Sequence, residues 1–336
     1  MPSDGGPPGG RVLAAHRPVP GKPVHTTIDP VLQRAAVAAL GGQYGGVAVL
    51  DARKGSVLAL AGIAFSAPQP PGSTFKVITT TAALEAGVVA LTDQFPVQTS
   101  VAIGGREVAN AHDEACGGSF VEAFAQSCNS VFAPLGPKIG SERLVQSAER
   151  FGFNSPPDLF NQAAIRAVKA PQSTIPASIP SELELGVSAI GQGQVLATPL
   201  QMASVAQTIA DGGSRSPTRI VSDRGLAPAA EPVRVTSEQV ATSVRDLMIQ
   251  VVKSGTGTAA ALPGVQVAGK TGTAELGPKP GEENSDNPVQ IKDAWFTAFA
   301  PAEKPRLAVG VLLIEAEAAG GEVAAPIASA VLSAGL

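Results

Sequence analysis

Strand-like runs stand at the two ends of this chain and helical patterns fill the span between them. A sheet that uses all of the runs must therefore be assembled from segments far apart in sequence. Near the N-terminus, Gly46–Asp51 (GVAVLD) and Ser56–Ala61 (SVLALA) flank the short connection Ala52–Gly55, which predicts a hairpin. In the last third, Gly264–Ala268 together with the residues just after it, Asp293–Ala300 (DAWFTAFA) and Arg306–Glu315 (RLAVGVLLIE) read as further strands, and an Ala-rich stretch at about 324–335 closes the chain as a helix. Asp29 followed by Pro30 opens a helix that runs to Leu40 and stops at Gly41-Gly42. Ser73 opens another that ends at Gly87, and Leu200–Ala210 and Val235–Lys253 are the clearest helices of a middle region, 88–260, that reads as helices and loops. The expected architecture is an α/β sandwich. Its central antiparallel sheet draws on both ends of the chain, helices flank it with the last one packed on it, and an all-helical subregion lies between.

Composition narrows the classes of function. Hydrophobic residues make up 44% of the 336 and charged residues 15%, which supplies a real core and argues against disorder. A net charge of −4 argues against a nucleic-acid partner held by a basic surface, and 4% aromatics against a base-stacking platform. Residues 1–24 carry Gly, Pro and isolated charges without periodicity, so they read as a tail or linker ahead of one domain over 25–336. The longest apolar run, Leu307–Ile314, has the length of a strand rather than a membrane span, and MPSDGGPPGG lacks the apolar core of a signal peptide, so the chain reads as soluble. Cys116 and Cys128 are too few for a disulfide scaffold and lack zinc-site spacing with the three histidines; one bridge between them and two free thiols are both open.

Three short motifs could carry chemistry. Ser73-Thr-Phe-Lys76 is the one Ser-x-x-Lys of the chain and lies at a predicted helix start. Residues three apart share a helix face, so the lysine amine can reach the serine hydroxyl and act as its base once its pKa is lowered, a shift the helix dipole favours. Lys270-Thr271-Gly272 follows the alternating run Val265–Gly269, and there a strand-edge glycine lets a substrate backbone approach while Lys and Thr bind a carboxylate. Ser127-Cys128-Asn129 places a hydroxyl and an amide two residues apart, aimed into one cleft if the backbone turns there. Each motif also has an ordinary structural reading: an N-cap serine with a solvated lysine, a protected edge strand, and a helix end. Three further matches read as accidents. Lys253-Ser254-Gly255 is a helix C-cap, and Ser285-Asp286-Asn287 lies in a polar loop. Gly264–Thr271 spells a phosphate loop (G-x-x-x-x-G-K-T), but Pro263 precedes it, its interior reads as strand, and no helix can follow it.

Taken together and in this order, the three motifs resemble the signatures of penicillin-binding transpeptidases. Flanking segments agree with class B enzymes: TTIDPVLQRAA, PPGSTFKV, Ile190-Gly-Gln-Gly-Gln with LATPLQMA, GTGTAA, and GKTGTAE followed by DAWFTAFAP. The resemblance covers about 24–336 and implies the β-lactamase-like fold of that superfamily. It implies Ser73 as acyl nucleophile, Lys76 as its base, and Lys270 as a cation that keeps Lys76 neutral. Ser127 would relay a proton to the leaving D-Ala amine, Asn129 would hydrogen-bond the donor peptide, and Thr271, Gly272 and Thr273 would receive the terminal carboxylate. The oxyanion would sit between the N–H groups of Ser73 and Thr273.

The implied activity is D,D-transpeptidation. A peptidoglycan stem peptide with a D-Ala-D-Ala terminus is the donor, a neighbouring stem amine the acceptor, β-lactams the inhibitors, and no cofactor is required. Elongation or division machinery would be the protein partners, and the site of action the extracytoplasmic face of the bacterial cell membrane. Class B enzymes usually carry a membrane anchor and an N-terminal module that this sequence lacks, so the anchor or secretion signal is expected to come from elsewhere; 24 residues also leave no room for a glycosyltransferase module. A D,D-carboxypeptidase, a β-lactamase or a non-catalytic β-lactam-binding scaffold would use the same motifs. A bridge between Cys128 and Cys116 would fix the position of the Ser127–Asn129 motif.

Overall fold

The computed structural model of the chain describes residue 18 and residues 20–165, 169–278, 281 and 290–336. The first helix, α1 (Pro30–Leu40), starts because the Asp29 carboxylate accepts from the amides of Val31 and Leu32, and it ends where Gly41 turns left-handed at φ 58°. A hairpin follows, β1 (Gly45–Asp51) and β2 (Val57–Gly62). A 3₁₀ turn over Gly72–Phe75 then leads straight into α2 (Lys76–Glu85).

The middle region holds more than helices. Strands β3 (Gln94–Gln98), β4 (Ser100–Ile103), β5 (Arg106–Ala109) and β6 (Cys116–Ser119) form two small antiparallel ladders, β3 with β6 and β4 with β5. Gly104 and Gly105, both at positive φ, make the tight β4–β5 turn. Short helices follow: α3 (Phe120–Ala125), α4 (Asn129–Phe132), α5 (Leu135–Ile139), α6 (Ser141–Arg150) and α7 (Glu182–Ala189). Helix α8 (Pro199–Ala210) is capped by Thr198, the two-residue strands β7 (Ser214–Arg215) and β8 (Val233–Arg234) pair, and α9 (Glu238–Ser254) is capped by Ser237.

The C-terminal third supplies β9 (Ala268–Pro278), β10 (Gln290–Ala300), β11 (Leu307–Ala316) and α10 (Gly320–Gly335). The five long strands form one antiparallel sheet in the order β2-β1-β11-β10-β9. The expected joining of the two chain ends occurs between β1 and β11, where Val47 faces Val311.

Alternation along β10 sorts its side chains onto two layers. Trp295 and Phe299 join the core beneath α2, α8 and α9, while Ala294, Phe296 and Ala298 join the core beneath α1 and α10. Strand β9 is left as a sheet edge, its outer side facing the 3₁₀ turn of Gly72–Phe75. The phosphate-loop match dissolves here: Gly264 lies in a turn and Lys270 is inside β9, with strand rather than helix after it. Lys253-Ser254-Gly255 is the end of α9, as its C-cap reading had it. Ser285-Asp286-Asn287 lies outside the described residues.

Candidate active site

Ser73 sits half-buried on the 3₁₀ turn, and glycines bring the surrounding backbone close to it. Gly72 has φ +52° and donates its amide to Gly191 O at 2.9 Å. A Cβ on Gly72 would lie 2.6 Å from Thr273 O, and one on Gly272 would lie 2.7 Å from Pro71 O. Only glycine allows the Gly72–Phe75 turn and the edge of β9 to touch in this way. Gly191 belongs to the Ile190-Gly-Gln-Gly-Gln segment, and a Cβ there would sit 2.0 Å from Gly72 O, which gives that glycine its physical reason. The carbonyl of Thr273 faces the turn at Gly72, and a strand residue directs its N–H and C=O to the same edge, so the Thr273 amide is directed to the side of that turn as well. Ser73 lies in the first turn of its helix, where amides have no partner within the helix.

The second motif is a true turn. Helix α3 is held at its start by a reciprocal Ser119–Glu122 capping box, and the chain reverses after it at Ser127, a non-glycine residue at φ +62°. A disulfide joins Cys128 to Cys116 of β6, closing the alternative of two free thiols, with Cα atoms 5.5 Å apart. Asn129 opens α4 and donates its Nδ2 to Ala109 O at 2.9 Å. The neighbouring Asn110, buried, accepts from the Ser130 amide at 2.8 Å and ties β5 to the same turn.

Both lysines are fully buried and converge on this turn. Lys76 Nζ lies 2.7 Å from Ser127 O, 2.8 Å from Asn129 Oδ1 and 3.3 Å from Ser127 Oγ. Lys270 Nζ lies 2.8 Å from Ser127 Oγ and 3.2 Å from Thr271 O. One hydroxyl thus stands between two amines. Phe132 and Phe124 wall the site, their ring centroids 5.2 Å from Lys76 Nζ and 5.6 Å from Lys270 Nζ. Burial, and after it the like charge of Lys270, holds the Lys76 amine well below the usual lysine range. Burial alone lowers Lys270 to about 7.

Two sequence-based expectations need adjustment. The leading cause of the Lys76 shift is removal from water, not a helix dipole or chiefly the second cation. The three hydrogen-bond partners of Lys76 Nζ lie on Ser127 and Asn129 rather than on Ser73 three residues away.

The threonines after Lys270 point to the opposite face of β9. Thr271, 6% exposed, places its hydroxyl 2.5 Å from that of Thr256, and Thr273 Oγ1 accepts from the Gly320 amide at 3.3 Å. Gly272 packs on Pro71, Thr74 and Trp295. The structure therefore joins Lys76, Ser127, Asn129 and Lys270 through hydrogen bonds and sets the turn that carries Ser73 against Gly272 and Thr273 of β9. It adds Phe124, Phe132, Asn110 and Thr256, which no motif singled out; Thr256 was visible in GTGTAA only as a flanking match.

Comparison with known proteins points to one family. The model of the penicillin-binding protein transpeptidase domain matches residues 45–333. The peptidoglycan D,D-transpeptidase PbpA of Mycobacterium tuberculosis strain H37Rv is 39% identical over 291 residues, which cover 81% of this chain and 56% of that protein. The chain thus spans about half the length of such relatives. A crystal structure of the D,D-transpeptidase domain of a peptidoglycan glycosyltransferase from Eggerthella lenta superposes with TM-score 0.81 at 30% identity, over 93% of this chain and 82% of that one. A ceftriaxone acyl-enzyme complex of penicillin-binding protein A from M. tuberculosis gives TM-score 0.79 at 34% identity, over 93% and 80%. The family match runs from the first strand into the last helix, and the chain belongs to the penicillin-binding protein transpeptidase domain family.

Proposed function

We propose that this chain is a serine D,D-transpeptidase that cross-links peptidoglycan stem peptides through an acyl-enzyme on Ser73 and is inhibited by β-lactams. One observation carries the reading: two buried amines of lowered basicity flank a single hydroxyl, Ser127, beside a nucleophile turn that meets the edge of β9. A neutral Lys76 exchanges a contact with the Ser127–Asn129 turn for Ser73, takes the hydroxyl proton, and frees Oγ to attack the carbonyl carbon of the penultimate D-Ala. The oxyanion forms between the Ser73 and Thr273 amides. As the C–N bond breaks, the proton held by Lys76 passes through Ser127 to the departing D-Ala amine. Attack by a stem-peptide amine reverses the sequence, returns Ser73, and leaves a new amide bond.

Asn129 offers its remaining Nδ2 hydrogen to the donor peptide, and Lys270 with the Thr271–Thr273 segment takes the carboxylate. The substrate of such an enzyme lies outside the cytoplasmic membrane. No helix of the described residues is long and apolar enough to cross a membrane. Elongation or division proteins are the partners this reading expects.

Intact-mass analysis with benzylpenicillin tests it. A stable adduct of one drug molecule is expected on the wild-type protein and none on Ser73→Ala. Steady drug consumption through a transient adduct would establish a hydrolase, and no adduct on the folded protein would overturn the nucleophile.

A further inference from the structure

A small cavity at the start of α8 is lined by donors that have nothing to donate to. Arg215 of β7, half-buried, shares the lining with four buried hydroxyl residues, Ser173, Thr198, Ser204 and Thr218. Arg215 Nε donates to Arg150 O at 3.0 Å, while Nη1 and Nη2 have no hydrogen-bond or ion-pair partner among the described residues. Two of the hydroxyls are already used as acceptors: Thr198 Oγ1 takes the Gln201 amide at 3.2 Å, and Ser173 Oγ takes the Thr198 amide at 3.1 Å. None of the four gives its own hydrogen to a described residue. No carboxylate is in the lining, and Gln201 adds only a neutral amide. Burial works against the Arg215 charge, and the Asp158 carboxylate offsets this only in part.

We infer that this cavity binds a small monovalent inorganic anion of chloride size, held by the Arg215 guanidinium and the hydroxyls around it. A guanidinium keeps its proton, so burying it without a counter-charge is costly. It offers donors only, and each hydroxyl adds one hydrogen. Water accepts such hydrogens but cannot balance the charge; an anion does both. Size sets the class of ligand. The space open to the centres of water-sized groups is about 20 Å³, enough for one or two such groups at roughly 10–15 Å³ each, which admits a halide and excludes a phosphate group or a sugar. Helix α8 helps through the positive end of its dipole rather than through free amides, since the Leu200 amide is already given to Ala64 O at 2.8 Å. The anion would tie β7 to the start of α8. Ala197, just before the Thr198 cap, pairs with Gln69 through backbone bonds of 2.8 and 2.9 Å, so the site braces the segment that leads to the Ser73 turn.

The test follows the thermal midpoint of the whole chain as chloride replaces gluconate at constant ionic strength. The wild-type protein should gain about 2 °C for each tenfold rise in chloride above its dissociation constant, and Arg215→Gln should gain nothing. The chloride dependence is read rather than the midpoint itself, so a lower starting stability of the variant leaves the comparison intact. Ser204→Ala keeps the guanidinium and should need about tenfold more chloride for the same gain, the share of one hydrogen bond to a charged group. Crystals grown in bromide locate the ion directly, and an anomalous peak beside Arg215 Nη1 and Nη2 is expected; if Arg215→Gln does not fold, these crystals decide. Equal chloride dependence in wild type and Arg215→Gln, no dependence in the wild type, or a cavity without anomalous signal would each overturn the site and leave it to water.

Discussion

Two buried amines share one hydroxyl, and burial makes each less basic than an ordinary lysine. Burial and then the Lys270 charge act together to lower Lys76, whereas burial alone lowers Lys270 to about 7. The rings of Phe132 and Phe124 contribute in two opposing ways: they exclude the water that would solvate each ammonium, and they offer it a weaker π-face in return. This division fixes the expected pH dependence. The rate of benzylpenicillin acylation should rise with pH as Lys76 becomes a base, then fall as pH passes about 7 and Lys270 loses the charge that holds the carboxylate. Lys270→Arg keeps a cation through that range, so its alkaline limb should be flat even where its maximum rate is lower. An alkaline limb unchanged in Lys270→Arg would assign that titration to another group. The residues of this pair were legible as motifs. Their partners were not, since Lys76 meets residues 51 and 53 positions away.

At the scale of elements, the site is a seam between a 3₁₀ turn and a sheet edge, and its closeness depends on side chains that are absent. Gly272→Ala would place a methyl 2.7 Å from Pro71 O and 2.9 Å from both Thr74 Cγ2 and Trp295 Cβ. Neither the backbone carbonyl nor the packed tryptophan can yield cheaply, so β9 should move off the nucleophile turn. Overpacking of this kind costs roughly 1–3 kcal/mol, and separation of the two oxyanion amides should slow acylation by about 100-fold. Urea unfolding and adduct kinetics on the same sample check both numbers; an unfolding loss with unchanged acylation would show that the seam does not set the oxyanion geometry.

The elements forming this seam were unevenly readable. Helices α1, α8 and α9 and strands β10 and β11 carry caps or long apolar runs, and their bounds came close to those expected. Strand β9 begins at Ala268 rather than at Gly264, because Gly264 and Val265 are spent on a turn closed by Leu262 and Val265. Strands β3 to β6 were hidden: β3 is largely exposed and contains a proline, and β6 is Cys-Gly-Gly-Ser, so neither shows an alternation of buried and exposed residues.

For the molecule as a whole, the long-range fact is that residues near both termini build one body. Strand β1 pairs with β11, and α1 packs on α10 and β2, so the N-terminal segment is part of the sheet's outer layer. We place the domain boundary just before His25 on this basis. Among the described residues, hydrogen bonds to the body begin there: His25 N and Nδ1 meet the Asp223 carboxylate at 2.8 Å, and Thr27 N donates to Ile220 O at 2.9 Å. Thr27 Oγ1 adds a bond to Val57 O at 2.6 Å, and the Asp29 amide donates to Leu58 O at 2.8 Å, stitching the segment to β2. Deleting residues 1–24 should therefore leave both the thermal midpoint and benzylpenicillin adduct formation at wild-type values. Deleting residues 1–29 removes these bonds together with the Asp29 cap of α1, a cap alone contributing about 1 kcal/mol, and should lower the midpoint by several degrees. Because α1 lies on the sheet face opposite the nucleophile turn, the longer deletion should lose stability well before it loses the adduct at low temperature. A midpoint already lowered by the shorter deletion would move the boundary toward the N-terminus, and equal midpoints for the two deletions would move it into α1.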